Sequence, residues 1–336
     1  MKILFSSHLF APSVGGIEEV SRLLAREFVS LGHDVHVITE TPSNQPDATP
    51  HAIVRNPAPK ELLRLVKWCD VFFHNNVSLR VAWPLLFHRK PWVVAHHTWI
   101  SRPDGKMAIV DHLKHFALRR ARNIAISKAM AAGIRQPSTI IPDPYDATTF
   151  RQLASQDRRS DLIFVGRLVS DKGVDLLIES LAELKRRKRT PRLTVVGDGP
   201  ELDSLRALAA HLGIQAQVTF AGKVTGEPLA RLLNDHRILV VPSRWNEPFG
   251  IVALEGIACG CVVIGSTGGG LPDAIGPCGA TFPNGDVAAL TCALEQFLTD
   301  PHQLEGYRRH AEAHLQKHQP RAVAERYLQV FESALN

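Results

Sequence analysis

The sequence predicts an α/β protein built from two doubly wound domains, each with a parallel sheet that helices cover on both faces. Short apolar segments alternate with amphipathic segments along all 336 residues. The short segments are apolar at consecutive positions, as is typical of strands that are buried on both faces. A chain of this length also exceeds the roughly 100–200 residues of a single domain. We therefore expect two domains.

The first half of the chain carries a clear amphipathic helix and a series of predicted strands. The helix has apolar residues at the three-and-four spacing of one helical face, from Ile17 to Leu31, and Gly32 follows where a helix usually ends. Residues 41–59 are rich in proline, asparagine and aspartate, which predicts a loop. The strands are predicted at residues 3–6, 35–39, 71–73, 92–95, 124–126 and 139–141.

The second half repeats this alternation and indicates the domain boundaries. Its strands and helices are predicted at residues 162–165, 174–188, 193–196, 201–212, 218–220, 238–241 and 262–264. We expect an N-terminal domain at 1–150 and a C-terminal domain at 151–319, separated within the polar stretch 146–161. A last helix at 320–336 is expected to pack back on the first domain. Ligands of open α/β sheets bind beyond the carboxyl ends of the strands, so we expect the site in a cleft where the two domains face each other.

Composition disfavours several classes of protein. No stretch approaches the roughly 18 consecutive apolar residues of a membrane span, and the start of the chain is typical of a strand rather than a signal peptide. The five cysteines form no Cys-x-x-Cys pair, which disfavours a disulfide framework or a zinc site and favours a cytoplasmic location. No nucleic-acid-binding motif is recognised, so no nucleic-acid partner is expected.

The formal charge is concentrated in the first half of the chain. Residues 1–150 hold 18 Lys and Arg against 12 Asp and Glu, a net charge of +6, and the rest of the chain is neutral overall. This asymmetry indicates either an anionic partner or an ordinary soluble surface. Residues 80–90 and 112–122 mix basic and apolar side chains. Such segments are typical either of peripheral contact with an anionic membrane, here its inner face, or of helices with their apolar side in the core.

Two groups of residues follow predicted strands and suit a phosphate. Gly15 and Gly16 come after the first strand and open the first helix, where free N–H groups can meet an anion. Arg167 and Lys172 lie in the loop after the first strand of the second domain, and two cations there can neutralise a diphosphate. An ordinary strand–helix turn and solvated loop cations are the alternatives.

The segment from Glu247 to Glu255 is the most informative one. Glu247 precedes a predicted helix at 249–258, and a single carboxylate can accept protons from two hydroxyls of a sugar or a ribose. An acid beside a helix N-terminus is also favourable without any ligand. Glu255 is expected to be buried among apolar residues of that helix, which is costly unless a partner such as a ligand hydroxyl is present. Further on, the glycine loop 268–272 is expected to face the cleft with its backbone N–H groups.

The order of these motifs resembles family 4 of the retaining GT-B glycosyltransferases. The chain has Gly-Arg-Leu at 166–168 followed by Lys-Gly at 172–173, Val-Gly-Asp-Gly-Pro at 196–200, Glu-Pro-Phe-Gly at 247–250 and the glycine loop. The resemblance covers essentially the whole chain. It implies a GT-B fold of two Rossmann-like domains and the transfer of a hexose from a nucleotide-sugar to an acceptor hydroxyl with retention at the anomeric carbon. A UDP-sugar is the favoured donor and a GDP-sugar the next, in polysaccharide or glycolipid biosynthesis.

The resemblance also implies which residues meet the phosphates and the acceptor side. Gly15 and Gly16 would lie against the donor phosphates, and Arg167 and Lys172 would neutralise the diphosphate as it leaves. His97 resembles the histidine that such enzymes place near the anomeric carbon at a strand end, with the adjacent histidine on the other side of the strand. The loop 142–146 (Pro-Asp-Pro-Tyr-Asp) departs from the usual Pro-Asn-Gly-x-Asp.

Further roles concern the sugar and the nucleoside. By resemblance, Glu247 would hold hydroxyls of the donor sugar and Glu255 those of the ribose, while Val224 would border the base. Asp273 stands where the family commonly has Glu. The residues expected to contact sugar and phosphate through their backbone are Phe249, Gly250 and Ile251.

The expected mechanism uses fixed cations in place of a metal. The chain contains no Asp-x-Asp, so neither a metal nor a cofactor is expected. Arg167 and Lys172 would stabilise the charge that develops on the leaving diphosphate, while Glu247 and His97 position and polarise the reacting groups. The acceptor, a glycan, a glycolipid or a small molecule, stays open. A sugar-nucleotide epimerase, a phosphorylase and a catalytically silent nucleotide-sugar-binding module are alternatives, and a dehydrogenase is disfavoured because no Gly-x-Gly-x-x-Gly occurs.

Overall fold

The chain folds into two compact units, each an open parallel sheet surrounded by helices. The structure is a computed structural model, and it describes residues 1–13, 15–44, 49–100, 107–153, 158 and 160–335. One unit comprises Met1–Pro144 and His318–Asn336, and the other Tyr145–Lys317. The chain passes from the first unit to the second at residue 145 and returns to the first at residue 318, whereas the sequence predicts these changes at residues 151 and 320. The predicted α/β class with two parallel sheets is confirmed.

The first unit contains a seven-stranded sheet. Its elements up to residue 144 are β1 (Lys2–Ser7), α1 (Gly16–Ser30), β2 (Asp34–Thr39), β3 (Ala52–Arg55), α2 (Pro59–Trp68), β4 (Val71–Asn75), α3 (Leu79–Ala82), β5 (Trp92–His96), α4 (Ile109–Ala117), β6 (Arg122–Ala125), α5 (Lys128–Gly133) and β7 (Ser138–Ile140). The strand order is β3-β2-β1-β4-β5-β6-β7, with every neighbouring pair parallel. The order of the strands therefore reverses between β1 and β4.

The second unit contains a six-stranded sheet. Its elements are β8 (Ser160–Val165), α6 (Val174–Arg186), β9 (Leu193–Val196), α7 (Leu202–His211), β10 (Val218–Gly222), α8 (Gly226–Asp235), β11 (His236–Val241), α9 (Ile251–Ala258), β12 (Val262–Ser266), α10 (Leu271–Ile275), β13 (Gly279–Phe282), α11 (Val287–Thr299), α12 (Pro301–Arg308) and α13 (Ala311–Gln316). The strand order is β10-β9-β8-β11-β12-β13, again parallel throughout. The order reverses between β8 and β11.

The last helix, α14 (Pro320–Leu335), completes the first unit. It packs on α1, β4 and β5. An aromatic cluster fills this side of the sheet, with ring centroids 4.6 Å apart for Phe5 and Phe73 and 5.4 Å apart for Phe28 and Phe331. These rings and that of Tyr327 are fully buried, so the chain's last turns contribute to the core of its first half.

Two strands were missed in the sequence analysis, and both are four-residue edge strands. The prediction of a loop over 41–59 is wrong at β3, and β13 was not predicted at the edge of the other sheet. In β3 no residue is fully buried, and in β13 only Phe282 is. An edge strand covered in part lacks the continuous apolar run by which the central strands are recognised. Residues 45–48 lie outside the described residues.

Two buried histidines tie the stability of the first unit to pH. His74 in β4 is fully buried, with its ring 4.2 Å from that of Phe72 and 5.5 Å from that of Trp92. Burial lowers the pKa of His74 to about 3 and that of His96 to about 4. A histidine of the unfolded chain titrates near 6.5. As the pH falls from 6.5 toward these folded values, only the unfolded chain binds protons, and each histidine lowers the free energy of unfolding by about 1.4 kcal/mol per pH unit.

We expect His74→Phe to stabilise the protein, and more so at pH 5 than at pH 8. Neither ring nitrogen of His74 has a hydrogen-bond partner among the described residues, so the substitution removes buried polar atoms and gains about 1 kcal/mol at pH 8. At pH 5 it also removes the protonation penalty, which adds about 2 kcal/mol. Urea unfolding at both pH values measures this. His211→Phe, at an exposed histidine, is the control, and an equal gain at both pH values would contradict the titration argument.

Candidate active site

The loops that follow β8 and β11 lie at the same edge of the second unit's sheet. The two strands are parallel neighbours, so their carboxyl ends point the same way. The chain runs outward from β8 to β9 and β10 before it returns to β11, and ligands of open α/β sheets bind at such a reversal. The two loops carry Lys172 and Glu247, two of the residues singled out from the sequence.

Lys172 and Glu247 form a partly buried ion pair. Lys172 ends the 3-10 turn Ser170–Lys172, and its Nζ donates a hydrogen bond to Glu247 Oε1 at 2.5 Å. The hydroxyl of the fully buried Ser243 donates to the same oxygen at 2.7 Å. The side chains of the pair are 23% and 12% exposed. Both hydrogen bonds that the described residues make to this carboxylate use Oε1, so Oε2 can accept hydrogen bonds from a ligand.

The two cations of the loop after β8 differ in their surroundings. Arg167 is exposed, and its side chain forms no ion pair or hydrogen bond within the described part of the chain. Without a ligand, Arg167 is therefore a solvated loop cation, which was the alternative to a phosphate-binding role. Lys172 is not, because its ammonium is paired with Glu247. The ion pair also fixes the Glu247 carboxylate, because a charge-assisted hydrogen bond is stronger than a neutral one.

The glycine loop after β12 supports Glu247 through its backbone. Gly270 N–H donates to the Glu247 carbonyl oxygen at 2.6 Å, and Gly268 N–H donates to Asn284 Oδ1 at 2.7 Å. Gly269 has a φ of 74°, and a Cβ there would lie 2.1 Å from the Glu247 carbonyl oxygen. The expectation that this loop offers its N–H groups to a ligand is therefore wrong for Gly268 and Gly270, whose N–H groups bind the protein itself.

The helix after Glu247 begins two residues later than predicted. Gly250, with a φ of 108°, precedes the first helical residue, Ile251, and the ring of Phe249 is buried in the unit. Glu255, which was expected to be buried among apolar residues, is half-buried. Val224 is half-buried and follows β10, whose carboxyl end lies at the same edge of the sheet. The roles that the resemblance implies for these residues stay predictions.

Two loops of this edge meet by direct backbone contact. Gly197 follows β9 with a φ of 146°, and a Cβ there would lie 1.8 Å from the carbonyl oxygen of Gly166. Gly166 N–H donates to the Val196 carbonyl at 3.0 Å, and Gly197 N–H donates to the Gly222 carbonyl at 2.8 Å. The turn at 197–200 therefore positions the loop that carries Arg167.

We expect Gly197→Ala to lower the free energy of unfolding by about 3 kcal/mol or more, since the new methyl group must displace backbone and adopt a conformation that only glycine favours. Gly213→Ala is the matched control. Gly213 also has a positive φ, of 68°, but its nearest neighbour to a new Cβ is the flexible Lys185 Nζ at 3.7 Å. We expect a loss of about 1 kcal/mol there. Urea denaturation midpoints compare the two, and equal losses would contradict the tight contact with Gly166.

In the first unit, His97 lies directly beyond β5 and is held at two points. Its backbone N–H donates to Asn76 Oδ1 at 2.8 Å, and its Nδ1 lies 3.1 Å from Asp143 Oδ1. The side chains of His97 and Asp143 are only 1% and 4% exposed. Nδ1 and Nε2 of His97 and Oδ1 of Asp143 are all buried without a hydrogen-bond partner among the described residues, so the 3.1 Å approach is an ion-pair contact without hydrogen-bond geometry. Buried polar atoms without partners are rare, and a ligand group is one partner that would satisfy Nε2.

The neighbouring His96 has a different environment. Its Nε2 lies 3.0 Å from Asn123 Oδ1, and burial lowers its pKa to about 4. His96 is therefore a neutral ring that is already paired within the unit. This contrast favours His97 over His96 as the residue that meets a substrate.

Gly15 and Gly16 lie at the start of α1 and are exposed. A Cβ at Gly15 would lie 2.5 Å from Glu18 Oε2, and the buried Glu18 accepts a hydrogen bond from the Ser13 hydroxyl at 3.1 Å. A carboxylate thus lies beside the helix start where donor phosphates are predicted, and like charges repel. Contact of the two glycines with a phosphate stays a prediction.

Three residues of these edges were missed as candidates: Ser243, Asn76 and Asp143. Each follows a strand within a few residues, and Asn76 has a φ of 68°. A polar residue just beyond a strand's carboxyl end is the signal that would have found them. Within the described ranges, no three His, Cys, Asp or Glu side chains come together as metal ligands would.

Comparison with known proteins places both units in described families. The sequence model of "Glycosyl transferases group 1" matches residues 146–314, and that of "Glycosyltransferase Family 4" matches residues 14–148. A relative from Mycolicibacterium smegmatis, the GDP-mannose-dependent alpha-(1-6)-phosphatidylinositol monomannoside mannosyltransferase, is 34% identical over 168 residues. That alignment covers 48% of this chain and 44% of the relative. The chain thus matches less than half the length of that relative.

Solved structures show the same fold at low sequence identity. Sucrose-phosphate synthase from Thermosynechococcus elongatus superposes with a TM-score of 0.81 at 22% identity, over 99% of this chain and 98% of that one. HepE from Anabaena, in complex with UDP, gives 0.82 at 20% identity, over 99% and 100%. The two-domain α/β fold of GT-B type is therefore confirmed. Since the first sequence model spans half of the chain, the protein belongs to the family of glycosyl transferases group 1.

Proposed function

We propose that the protein transfers a hexose from a nucleotide-sugar to an acceptor hydroxyl, with retention at the anomeric carbon and without a metal ion. The observation that carries this proposal is the Lys172–Glu247 pair at the reversal of the second sheet, in a chain of the glycosyl transferases group 1 family. A cation and a carboxylate within one hydrogen bond suit the two parts of such a donor. The ammonium suits the diphosphate, and the carboxylate suits sugar hydroxyls.

The phosphate end of the donor is assigned to the loop after β8. As the bond from sugar to phosphate stretches, negative charge grows on the leaving diphosphate, and a fixed cation aimed at that charge lowers the barrier. Lys172 is held in place by its hydrogen bond to Glu247, so little reorganisation is needed. Arg167, exposed in the absence of ligand, closes on the diphosphate when the donor binds.

The sugar end is assigned to Glu247. Its Oε1 is occupied by Lys172 and Ser243, and its Oε2 accepts hydrogen bonds from hydroxyls of the donor sugar. The glycine loop holds the Glu247 backbone through the hydrogen bond from Gly270. Because both its side chain and its backbone are held, Glu247 keeps the sugar in one orientation. This positioning is its contribution to the rate.

The first unit supplies His97 to the reaction. With Asp143 beside Nδ1, the Nε2 of His97 polarises a hydroxyl at the reacting centre and fixes its position. The leaving diphosphate itself accepts the proton of the acceptor hydroxyl, because attack occurs on the same face from which it departs. His97 thus positions and polarises rather than acting as the sole base.

The donor is proposed to be a UDP-sugar, with a GDP-sugar as the second candidate. UDP is the nucleotide bound in HepE, whereas the mycobacterial relative is named as GDP-mannose-dependent. The same relative acts on a phosphatidylinositol mannoside, which supports a glycolipid among the acceptor classes.

A screen with UDP-, GDP- and ADP-sugars tests this proposal. Purified protein is incubated with each donor, with and without a mixture of glycan and glycolipid acceptors, and free nucleotide is measured. We expect nucleotide release that acceptor stimulates and that EDTA leaves unchanged, with a product whose anomeric configuration by NMR matches the donor. An altered sugar nucleotide without acceptor would indicate an epimerase, and binding without any release would indicate a silent binding module. Loss of activity in EDTA, or an inverted product, would overturn the corresponding part.

A further inference from the structure

Helix α4 of the first unit turns its apolar side to solvent. Ile109 is 81% exposed, Leu113 53% and Phe116 67%, and Val110 is exposed beside them. These positions follow the spacing i, i+1, i+4 and i+7, so they form one face of the helix, which we name the apolar ridge. The sequence left two alternatives for residues 112–122. The one in which the helix buries its apolar side in the core is excluded for the apolar ridge.

The inner side of α4 is polar instead. Asp111 is buried and accepts a hydrogen bond from the Ala108 N–H at 2.9 Å, which satisfies a backbone donor at the helix start. His115 is also buried, and its carbonyl accepts a hydrogen bond from Gln136 Nε2 at 2.8 Å. The hydrogen bond from Gln136 and the burial of Asp111 and His115 hold this side of the helix against the unit, so the opposite side, with the ridge, faces solvent.

A second exposed apolar pair lies on the same side of the sheet. Leu86 and Phe87, at the end of the 3-10 turn Trp83–Leu86, are 75% and 72% exposed. The turn and α4 pack against one buried cluster, to which Leu85 of the turn and Ala117 of α4 contribute. Exposed large apolar side chains grouped in this way are typical of an interaction surface rather than of ordinary scatter.

Cations without acidic partners flank the ridge. Residues 107–136 contain six Lys and Arg and a single acidic residue, Asp111. A cavity of about 760 Å³ at the amino ends of β6 and β7 is lined by Arg119, Arg122 and Arg135, and also by Phe116 of the ridge. Within the described part of the chain, none of these three arginines forms an ion pair, and the same holds for Arg120. The cavity lies at the sheet edge opposite to that of His97.

We propose that the apolar ridge and the arginine cavity form a docking surface for a bilayer of anionic phospholipid. Aromatic and aliphatic side chains on one helical face enter the boundary between head groups and acyl chains, and adjacent cations bind the phosphates. Arg119 and Arg120 continue the helix directly after the ridge, so both contacts are made by one element. A symmetric contact between two copies is disfavoured, because it would bring the unpaired arginines of both chains together.

The test is sedimentation of the intact protein with vesicles of phosphatidylcholine alone and with vesicles in which phosphatidylglycerol replaces part of it. We expect binding to the anionic vesicles only, and we expect added salt to weaken it. The assay contains no nucleotide-sugar, so its outcome is independent of the proposed reaction. Binding to neither vesicle, or equal and salt-insensitive binding to both, would overturn the proposal.

Surface variants separate the two parts of the docking surface. We expect Leu113→Ser/Phe116→Ser and Arg119→Glu/Arg120→Glu each to lower partitioning into anionic vesicles about tenfold or more. Matched controls are Leu9→Ser, at an exposed leucine beyond the carboxyl end of β1, and Arg231→Glu, at an exposed arginine of the second unit, both with unchanged partitioning. Thermal melting verifies that every variant is folded. Undiminished binding of the ridge variant would contradict the proposal, as would sedimentation velocity showing that the ridge holds a dimer that does not bind vesicles.

Discussion

Lys172→Met is expected to lower kcat for sugar transfer by about 10²–10³-fold, equivalent to about 3–4 kcal/mol of transition-state stabilisation. The substitution keeps the length of the side chain and removes the only charge that contacts Glu247 among the described residues. Two effects then add. The leaving diphosphate loses its fixed cation, and the Glu247 carboxylate keeps only the hydrogen bond from Ser243. KM should change less than kcat, because the charge on the diphosphate grows mainly in the transition state.

Lys185→Met is the control for this substitution. Lys185 lies in the same unit and also makes a single hydrogen bond, from Nζ to the Gly213 carbonyl at 2.7 Å, but it lies near the far end of α6. We expect its kcat to stay within about twofold of the unmodified protein, since it contacts no group of the candidate site. Steady-state kinetics with the donor found in the screen gives both values. Similar losses for Lys172→Met and Lys185→Met would show that a general loss of charge, not the site, is responsible.

His97→Asn is expected to lower kcat by about 10²-fold or more, in line with the loss of a positioned polar group at the reacting centre. The adjacent His96→Asn is the matched control, because it makes the same change one residue away in a ring that is already paired with Asn123. We expect His96→Asn to alter the thermal midpoint but to leave kcat within about threefold. The opposite pattern, with His96 decisive for kcat, would reverse the assignment.

Asp143→Asn tests how His97 is held. The variant keeps the shape of the side chain at 3.1 Å from His97 Nδ1 and removes its negative charge. A positioning role predicts a loss of kcat smaller than that of His97→Asn, with KM for the donor changed less than kcat. The double variant Asp143→Asn/His97→Asn should then lose no more kcat than His97→Asn alone, and additive losses would contradict positioning through His97.

The sequence was sufficient to predict the central strands and to single out Lys172 and Glu247, but not to predict that these two residues form an ion pair. Lys172 and Glu247 were each placed after a buried strand by the apolar runs at 162–165 and 238–241. Their contact depends on β8 lying beside β11, and the order of strands in a sheet is not encoded in any local pattern. Ser243, which shares the same carboxylate oxygen, lies just beyond β11 in the same loop as Glu247, so its place after a strand was the available signal.

Two other differences between prediction and structure also arise from packing that no local sequence pattern contains. The edge strands β3 and β13 were missed because partial exposure removes the continuous apolar run.

In α4 the amphipathic pattern was correctly detected, but such a pattern only separates two faces and does not say which one points inward. The rotation depends on a contact distant in the sequence, the hydrogen bond that Gln136 donates to the carbonyl of the buried His115.

A crystal structure with an unreactive analogue of the donor sugar nucleotide is the most direct measurement of how this protein works. It should show Lys172 Nζ within hydrogen-bonding distance of the diphosphate and Glu247 Oε2 accepting from hydroxyls of the sugar. A diphosphate bound elsewhere, with Lys172 still engaged only by Glu247 and Arg167 still turned to solvent, would contradict the assignment of the donor site.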